Sequence, residues 1–141
     1  MGCSSITEFI VPSGVKQYPI ELLSSTSVKV LDIPDTVTSF NSQGYNCYLM
    51  RILEKVIISS NIPTIPINCF LRCPKLTIVI IKNSSCTLAN TNAFNETPMV
   101  GSGVGKIYVP YGYGDEFKSR TNWSTFASHI YELNEDGNIP T

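Results

Sequence analysis

Apolar residues recur along this chain in a fixed frame, neither at the even spacing of one long helix nor in the simple alternation of one sheet. Leu53, Val56 and Ile58, followed by Ile62 and Ile65, define that frame. Upstream it reads Ile6, Phe9 and Val11 with Val15 and Tyr18, then Val28, Leu31 and Ile33 with Val37 and Phe40; downstream it reads Leu76, Val79 and Ile81. The first position therefore returns after 22, 25 and 23 residues. Four units in register at that period predict a solenoid, because one such unit cannot bury its apolar face alone and stacking supplies the missing partner.

Each unit divides into a strand, a turn and a return. Strands are expected over residues 7–11, 29–33, 54–59 and 77–82, with turns at Pro12-Ser13-Gly14, Pro34-Asp35-Thr36, Asn61-Ile62-Pro63 and Asn83-Ser84-Ser85, where Pro fixes φ and the small polar residues bond locally. Asn41 to Gly44 reads as a polar loop, and Tyr45 to Met50 as a short helical or irregular return. After Leu88 the frame loosens. Asn90 to Glu96 reads as a polar loop with a buried Phe94, Gly101 to Gly105 as a flexible stretch, and Lys106 to Pro110 as a fifth strand.

Beyond Gly112 the pattern changes. Phe117, Trp123, Phe126, Ile130 and Leu133 follow mixed three- and four-residue steps, and Asp115 and Glu116 suit a helix start. Thr121-Asn122 is expected to divide this segment into two short helices. Residues 1–112 are thus read as the solenoid, 113–133 as a helical cap of the same domain, and 134–141 as a solvated tail. A cap is needed because the last unit would otherwise expose core and strand edge.

Side chains alternate across a strand, so if Leu53, Val56 and Ile58 face the core, Lys55 and Ile57 face out. Stacking aligns Glu8, Val30, Lys55 and Ile78 in one outward column and Ile10, Asp32, Ile57, Ile80 and Tyr108 in the next. Lys55, Ile57, Ile78, Ile80, Tyr108 and Asp32 are the candidate binding residues. Several are apolar on a face that water would ordinarily cover, which marks a contact surface. Two other readings are a stripe covered by residues 89–105 of the same chain, and plain β-branched strand preference.

Composition narrows the function. Charged residues are 15% of the 141, and the formal net charge is −1; average globular proteins carry about a quarter charged residues. With no basic cluster, neither nucleic acid nor an anionic membrane surface is an expected partner. No apolar run reaches the length of a membrane span, and the N-terminus lacks the basic and apolar segments of a signal peptide. Met1-Gly2-Cys3 does not complete a myristoylation pattern, because Ile6 stands where Ser or Thr is required. The five cysteines, Cys3, Cys47, Cys69, Cys73 and Cys86, lack paired metal-ligand spacing and read as small buried hydrophobes.

The frame resembles the BspA-like leucine-rich repeats, whose pattern Cys-x-x-Leu-x-x-Ile-x-Ile-Pro-x-x-Val-x-x-Ile is carried here by Cys3-Ser4-Ser5-Ile6-Thr7-Glu8-Phe9-Ile10-Val11-Pro12-Ser13-Gly14-Val15-Lys16-Gln17-Tyr18 and by Phe70 to Ile81. Lys106 to Pro110, with Phe117-Lys118, Asn122-Trp123-Ser124 and Ile130-Tyr131, resembles the closing segment of such arrays. The resemblance implies an α/β repeat solenoid: a short right-handed superhelix with a parallel sheet of four to five strands. It also implies an extracellular or cell-surface module used for adhesion and protein contact, with no catalytic residues. The array opens in the middle of a repeat, which suggests the C-terminal part of a longer array or a chain completed by a partner. The rival is a structural subunit of a virion or surface layer, docking or self-associating through its open N-terminal rung.

Little else in the chain suggests chemistry. Gly101, Gly103, Gly105 and Lys106 evoke a phosphate loop, but Ile107 replaces the required Ser or Thr and a strand follows. His129 has no nucleophile and orienting partner in the pattern and reads as a cap-packing or surface residue. No carboxylate pair suits glycoside hydrolysis. The sequons at Asn83, Asn95 and Asn122 arise readily in a chain rich in Asn and Ser. No cofactor or metal is expected.

Overall fold

The computed structural model describes residues 8–10, 14, 16, 28–41 and 46–141. Six strands form one all-parallel sheet: β1 (Glu8–Ile10), β2 (Val30–Asp32), β3 (Lys55–Ile58), β5 (Ile78–Ile81), β7 (Lys106–Val109) and β8 (Ile130–Glu132), adjacent in that order. Two short strands, β4 (Thr64–Ile65) and β6 (Thr87–Leu88), pair in a second parallel sheet. The architecture is a repeat solenoid, with one strand contributed per turn of chain to the main sheet. The first five strands of the main sheet lie within the expected ones, shorter by up to a residue at each end. The cysteine at position 3, the turn at residues 12–13 and the return through Val15, Tyr18 and Leu22 lie outside the described residues.

Register explains the core. Leu31, Val56, Val79, Ile107 and Ile130 are successive partners across the sheet and all are buried. Ile58 and Ile81 repeat the pattern two residues later. Behind them Val28, Leu53 and Leu76 open each unit, and Val37, Ile62, Ile65 and Phe70 fill the return side. Each turn of chain is tied to the next by backbone bonds such as Glu54 N–H to Lys29 O and Thr77 N–H to Glu54 O, at 2.8 and 3.0 Å. Side chains add rungs: Ser59 Oγ donates to Val37 O at 2.8 Å, and Asn83 Nδ2 to Ile62 O at 3.1 Å.

All four cysteines of the described residues, Cys47, Cys69, Cys73 and Cys86, are buried thiols. Cys73 Sγ donates to Cys47 O at 2.8 Å, which stitches one return segment to its neighbour. Burial pushes the Cys69 and Cys73 thiols well up, and Cys86 up to about 12.

The C-terminal segment differs from a wholly helical one. α1 (Gly114–Ser119) and a 3-10 helix (Trp123–His129) are divided at Asn122, which has φ +67°, but residues 130–132 are strand. Ile130 enters the core as the inward residue of a sixth strand, one more than expected. An aromatic chain joins this segment to the repeats: Phe70 stacks on Phe94 at 5.5 Å, and Phe94 meets Phe126 at 5.2 Å and Trp123 at 6.4 Å. The carbonyls on the β6 side find donors here. Arg120 reaches Ser84 O and Cys86 O, Trp123 Nε1 reaches Cys86 O at 2.9 Å, and Asn122 Nδ2 reaches Leu88 O at 2.7 Å.

Two expected loops are more ordered than their polarity suggests. Thr91–Phe94 is a 3-10 helix started by the Asn90 side chain, with Phe94 fully buried. The glycine-rich stretch folds tightly on itself through Gly103 N–H to Val100 O and Gly105 N–H to Pro98 O. A Cβ at Gly103 would sit 2.2 Å from Pro98 O, so only glycine allows that approach.

Candidate functional site

The outward face of the main sheet has the expected columns. Glu8, Val30, Lys55, Ile78 and Lys106 are successive partners in one, and Ile10, Asp32, Ile57, Ile80, Tyr108 and Tyr131 in the next. Tyr131 extends the second column by one strand, a place that a helical period through its segment conceals. Its ring lies 6.0 Å from that of Tyr108, with Lys106 Nζ 5.2 Å above it.

Exposure along the stripe is uneven. Ile10 is 58% and Tyr131 45% exposed, whereas Ile80 and Tyr108 are each only 8% exposed. Val30, Asp32, Lys55, Ile57 and Ile78 lie between those limits. The expectation that Ile80 and Tyr108 stand open to solvent is therefore corrected: they form an outward apolar cluster with Leu133, packed by Ile57, Ile78 and Ile139. The cover comes from the C-terminal tail, not from residues 89–105.

The tail reaches that position through a compact loop. Leu133 N–H donates to Val109 O at 2.8 Å, continuing β8 past its last residue. Asn134 then closes a turn: its Oδ1 accepts from the N–H groups of Asp136 and Asn138, both at 3.0 Å, while its own N–H reaches Asn138 O at 2.8 Å. Gly137 at φ +82° supplies the left-handed residue this return needs. The solvated tail expected from the sequence is thus, in part, a piece of the face. Between it and the strands lies a cleft of about 690 Å³, lined on the strand side by Asp32, Lys55, Ile57, Ile80 and Lys82.

His129 is buried, with Nδ1 2.8 Å from Gly105 O and Nε2 2.8 Å from Gly101 O, so both ring nitrogens are engaged with backbone carbonyls. Among the described residues no group of three or more His, Cys, Asp or Glu is placed to hold a metal ion. The acidic pair Asp115 and Glu116 occupies the first turn of α1. Elsewhere, Asp35 accepts from Ser60 N–H at 2.9 Å, and that backbone bond is the main reason its carboxyl sits below the usual range.

Comparison with known families gives a match. The profile of the BspA-type leucine-rich repeat region covers residues 1–100 in six copies, two more than the four frames visible by eye. None of the curated proteins matches the chain.

Proposed function

The chain belongs to the BspA-type leucine-rich repeat family, and we propose that it works as a non-catalytic protein-binding module, with adhesion as its use and the outward strand face as its contact surface. Repeats of this family generally mediate protein binding, which supports the broad class. One observation supports the location: the in-register stripe running from Ile10 through Ile57 and Ile80 to Tyr131 is apolar at most of its positions. A solvated sheet face alternates apolar-in with polar-out, and this one does not. In this reading residues 1–112 are the array, following a right-handed superhelical course, residues 113–133 cap it, and the protein acts outside the cell or at its surface. No helix among the described residues is long and apolar enough to cross a membrane.

The test is charge placed on half-buried residues of the outward face. Ile57→Lys together with Ile78→Lys should weaken association with a protein partner, or with a second copy, more than tenfold in sedimentation velocity, while the far-UV circular dichroism stays unchanged. Association that survives both substitutions would show that the strand face is not the contact surface.

A second reading is favoured by β1, which is the outermost strand of the sheet among the described residues and carries the exposed Ile10. That edge is an apolar docking element for other subunits in a larger assembly. A sedimentation coefficient independent of concentration would count against it.

A further inference from the structure

Ile80 and Tyr108 project away from the solenoid core yet are covered almost as fully as core residues. Beside the Tyr131 ring, 6.0 Å from that of Tyr108, the cover is one short segment, Leu133 to Ile139, of which Leu133 joins the cluster and Ile139 packs against it. Its two ends are held differently. Leu133 is tied by a backbone bond to Val109, whereas residues 139–141 make no hydrogen bond to the sheet among the described residues. Ile139 is held there by apolar contact alone. Glu135 and Asp136 line the same cleft as Lys55 and Lys82, but no ion pair closes between them within 4 Å. The loop is therefore self-contained, folded by Asn134, and its far end is attached to the face through one aliphatic side chain.

We propose that residues 133–139 are an in-chain occupant of the strand face, and that the external partner of that face is a polypeptide segment presenting an aliphatic side chain where Ile139 now sits. This rests on the strand-face reading above and adds to it what the face accepts. The apolar cluster of Ile80, Tyr108 and Leu133 already takes one aliphatic group, Ile139. The cleft carries both signs, Asp32, Glu135 and Asp136 with Lys55 and Lys82, so it does not select a strongly acidic or strongly basic ligand. The unfilled cleft of about 690 Å³ beside the tail gives an incoming segment further surface that the tail itself leaves unused. A tethered occupant competes at an effective concentration on the order of millimolar. The tail therefore lowers the apparent affinity of any weaker segment, and a partner succeeds by also filling the open part of the cleft.

The experiment uses the full chain with isotope-labelled isoleucine methyl groups, and a synthetic peptide with the sequence of residues 133–141 as the probe. Ile139→Asp should shift the Ile57 and Ile80 methyl signals, and millimolar peptide should return them toward their wild-type positions. Peptide affinity for the Ile139→Asp chain should exceed that for the wild type by about fivefold or more, because the competing occupant is gone. A peptide with Asp in place of its own Ile should not bind. The proposal is overturned if the methyl signals ignore Ile139→Asp, if the peptide does not bind that variant, or if it binds variant and wild type equally. Should the peptide do nothing while Ile57→Lys and Ile78→Lys still abolish association, the tail proposal fails and the strand-face reading stands. If the peptide restores the signals while association is untouched by those lysines, the seat of Ile139 is upheld and the strand-face reading is the one that fails.

Discussion

Removing the Phe94 ring should be among the most damaging single changes in this chain. The ring is fully buried and stands where the repeats meet the C-terminal segment, stacked on Phe70 and set against Phe126 and Trp123. Phe→Ala in a close-packed core costs about 3–5 kcal/mol through lost transfer energy and the cavity left behind. Neighbours that are themselves stacked rings collapse poorly into such a gap, which places the loss near the middle of that range, about 4 kcal/mol. With a urea m-value of about 2 kcal/mol/M, the unfolding midpoint should fall by about 2 M. Phe94→Leu keeps most of the volume and loses mainly ring contacts, worth about 0.5–1.5 kcal/mol each, so it should cost about half as much. The single tryptophan, Trp123, is buried 6.4 Å from Phe94 and reports the transition by its fluorescence. A loss under about 1 kcal/mol for Phe94→Ala, or equal losses for the two variants, would refute the view that this aromatic chain joins the repeats to the segment after them.

The buried thiols make stability fall at alkaline pH. An unfolded Cys86 titrates near 9.0 and the folded one is pushed up to about 12, so its contribution is fully present below pH 9 and is lost as pH rises toward 12, at about 1.4 kcal/mol per pH unit. Urea midpoints at pH 8 and 10 should differ accordingly, with a shallower decline in Cys86→Ala, and a thiol reagent should label Cys47, Cys69, Cys73 and Cys86 only on unfolding; labelling of the native chain would contradict their burial. Glu132 accepts from Gly112 N–H at 3.1 Å and Gly114 N–H at 2.7 Å, so it holds the start of α1 against β8. Glu132→Ala should cost about 1–2 kcal/mol by thermal unfolding and Glu132→Gln less, since one amide oxygen still accepts; equal and negligible losses would show that the contact does no more than occupy space.

The repeat frame is legible in the sequence because strand alternation and stacking act together on the same residues. Once Leu53, Val56 and Ile58 face inward, every aligned residue in the next unit must follow, and the observed register leaves none of the described ones out of place. The return segments are harder to read. They turn at Leu49, Arg72 and Glu96, all in the left-handed region with φ near +60°. Glycine or asparagine usually marks such a position, and here three ordinary side chains occupy it because neighbouring turns bond across it, as Arg72 N–H does to Asn95 O.

The strand at residues 130–132 passes for helix in the sequence although its repeat signal is present. Ile107-Tyr108 and Ile130-Tyr131 are 23 residues apart, the interval that separates Leu53 from Leu76. Phe117, Trp123 and Phe126 set up a helical period, and Ile130 fits that period as well as it fits the repeat. Helix and strand differ in what they do with Tyr131 and Leu133. A helix leaves both as ordinary cap residues, whereas a sixth strand puts them on the outward face and directs the following chain across Ile80 and Tyr108. That consequence decides how the stripe must be understood. An apolar outward column on a repeat array reads as a surface waiting for a partner. Here two of its six members, Ile80 and Tyr108, are covered by the chain itself. If the strand face is the contact surface, as proposed, a partner meets it first at the exposed Ile10 and Tyr131, and the seat of Ile139 decides whether that partner also reaches Ile80 and Tyr108.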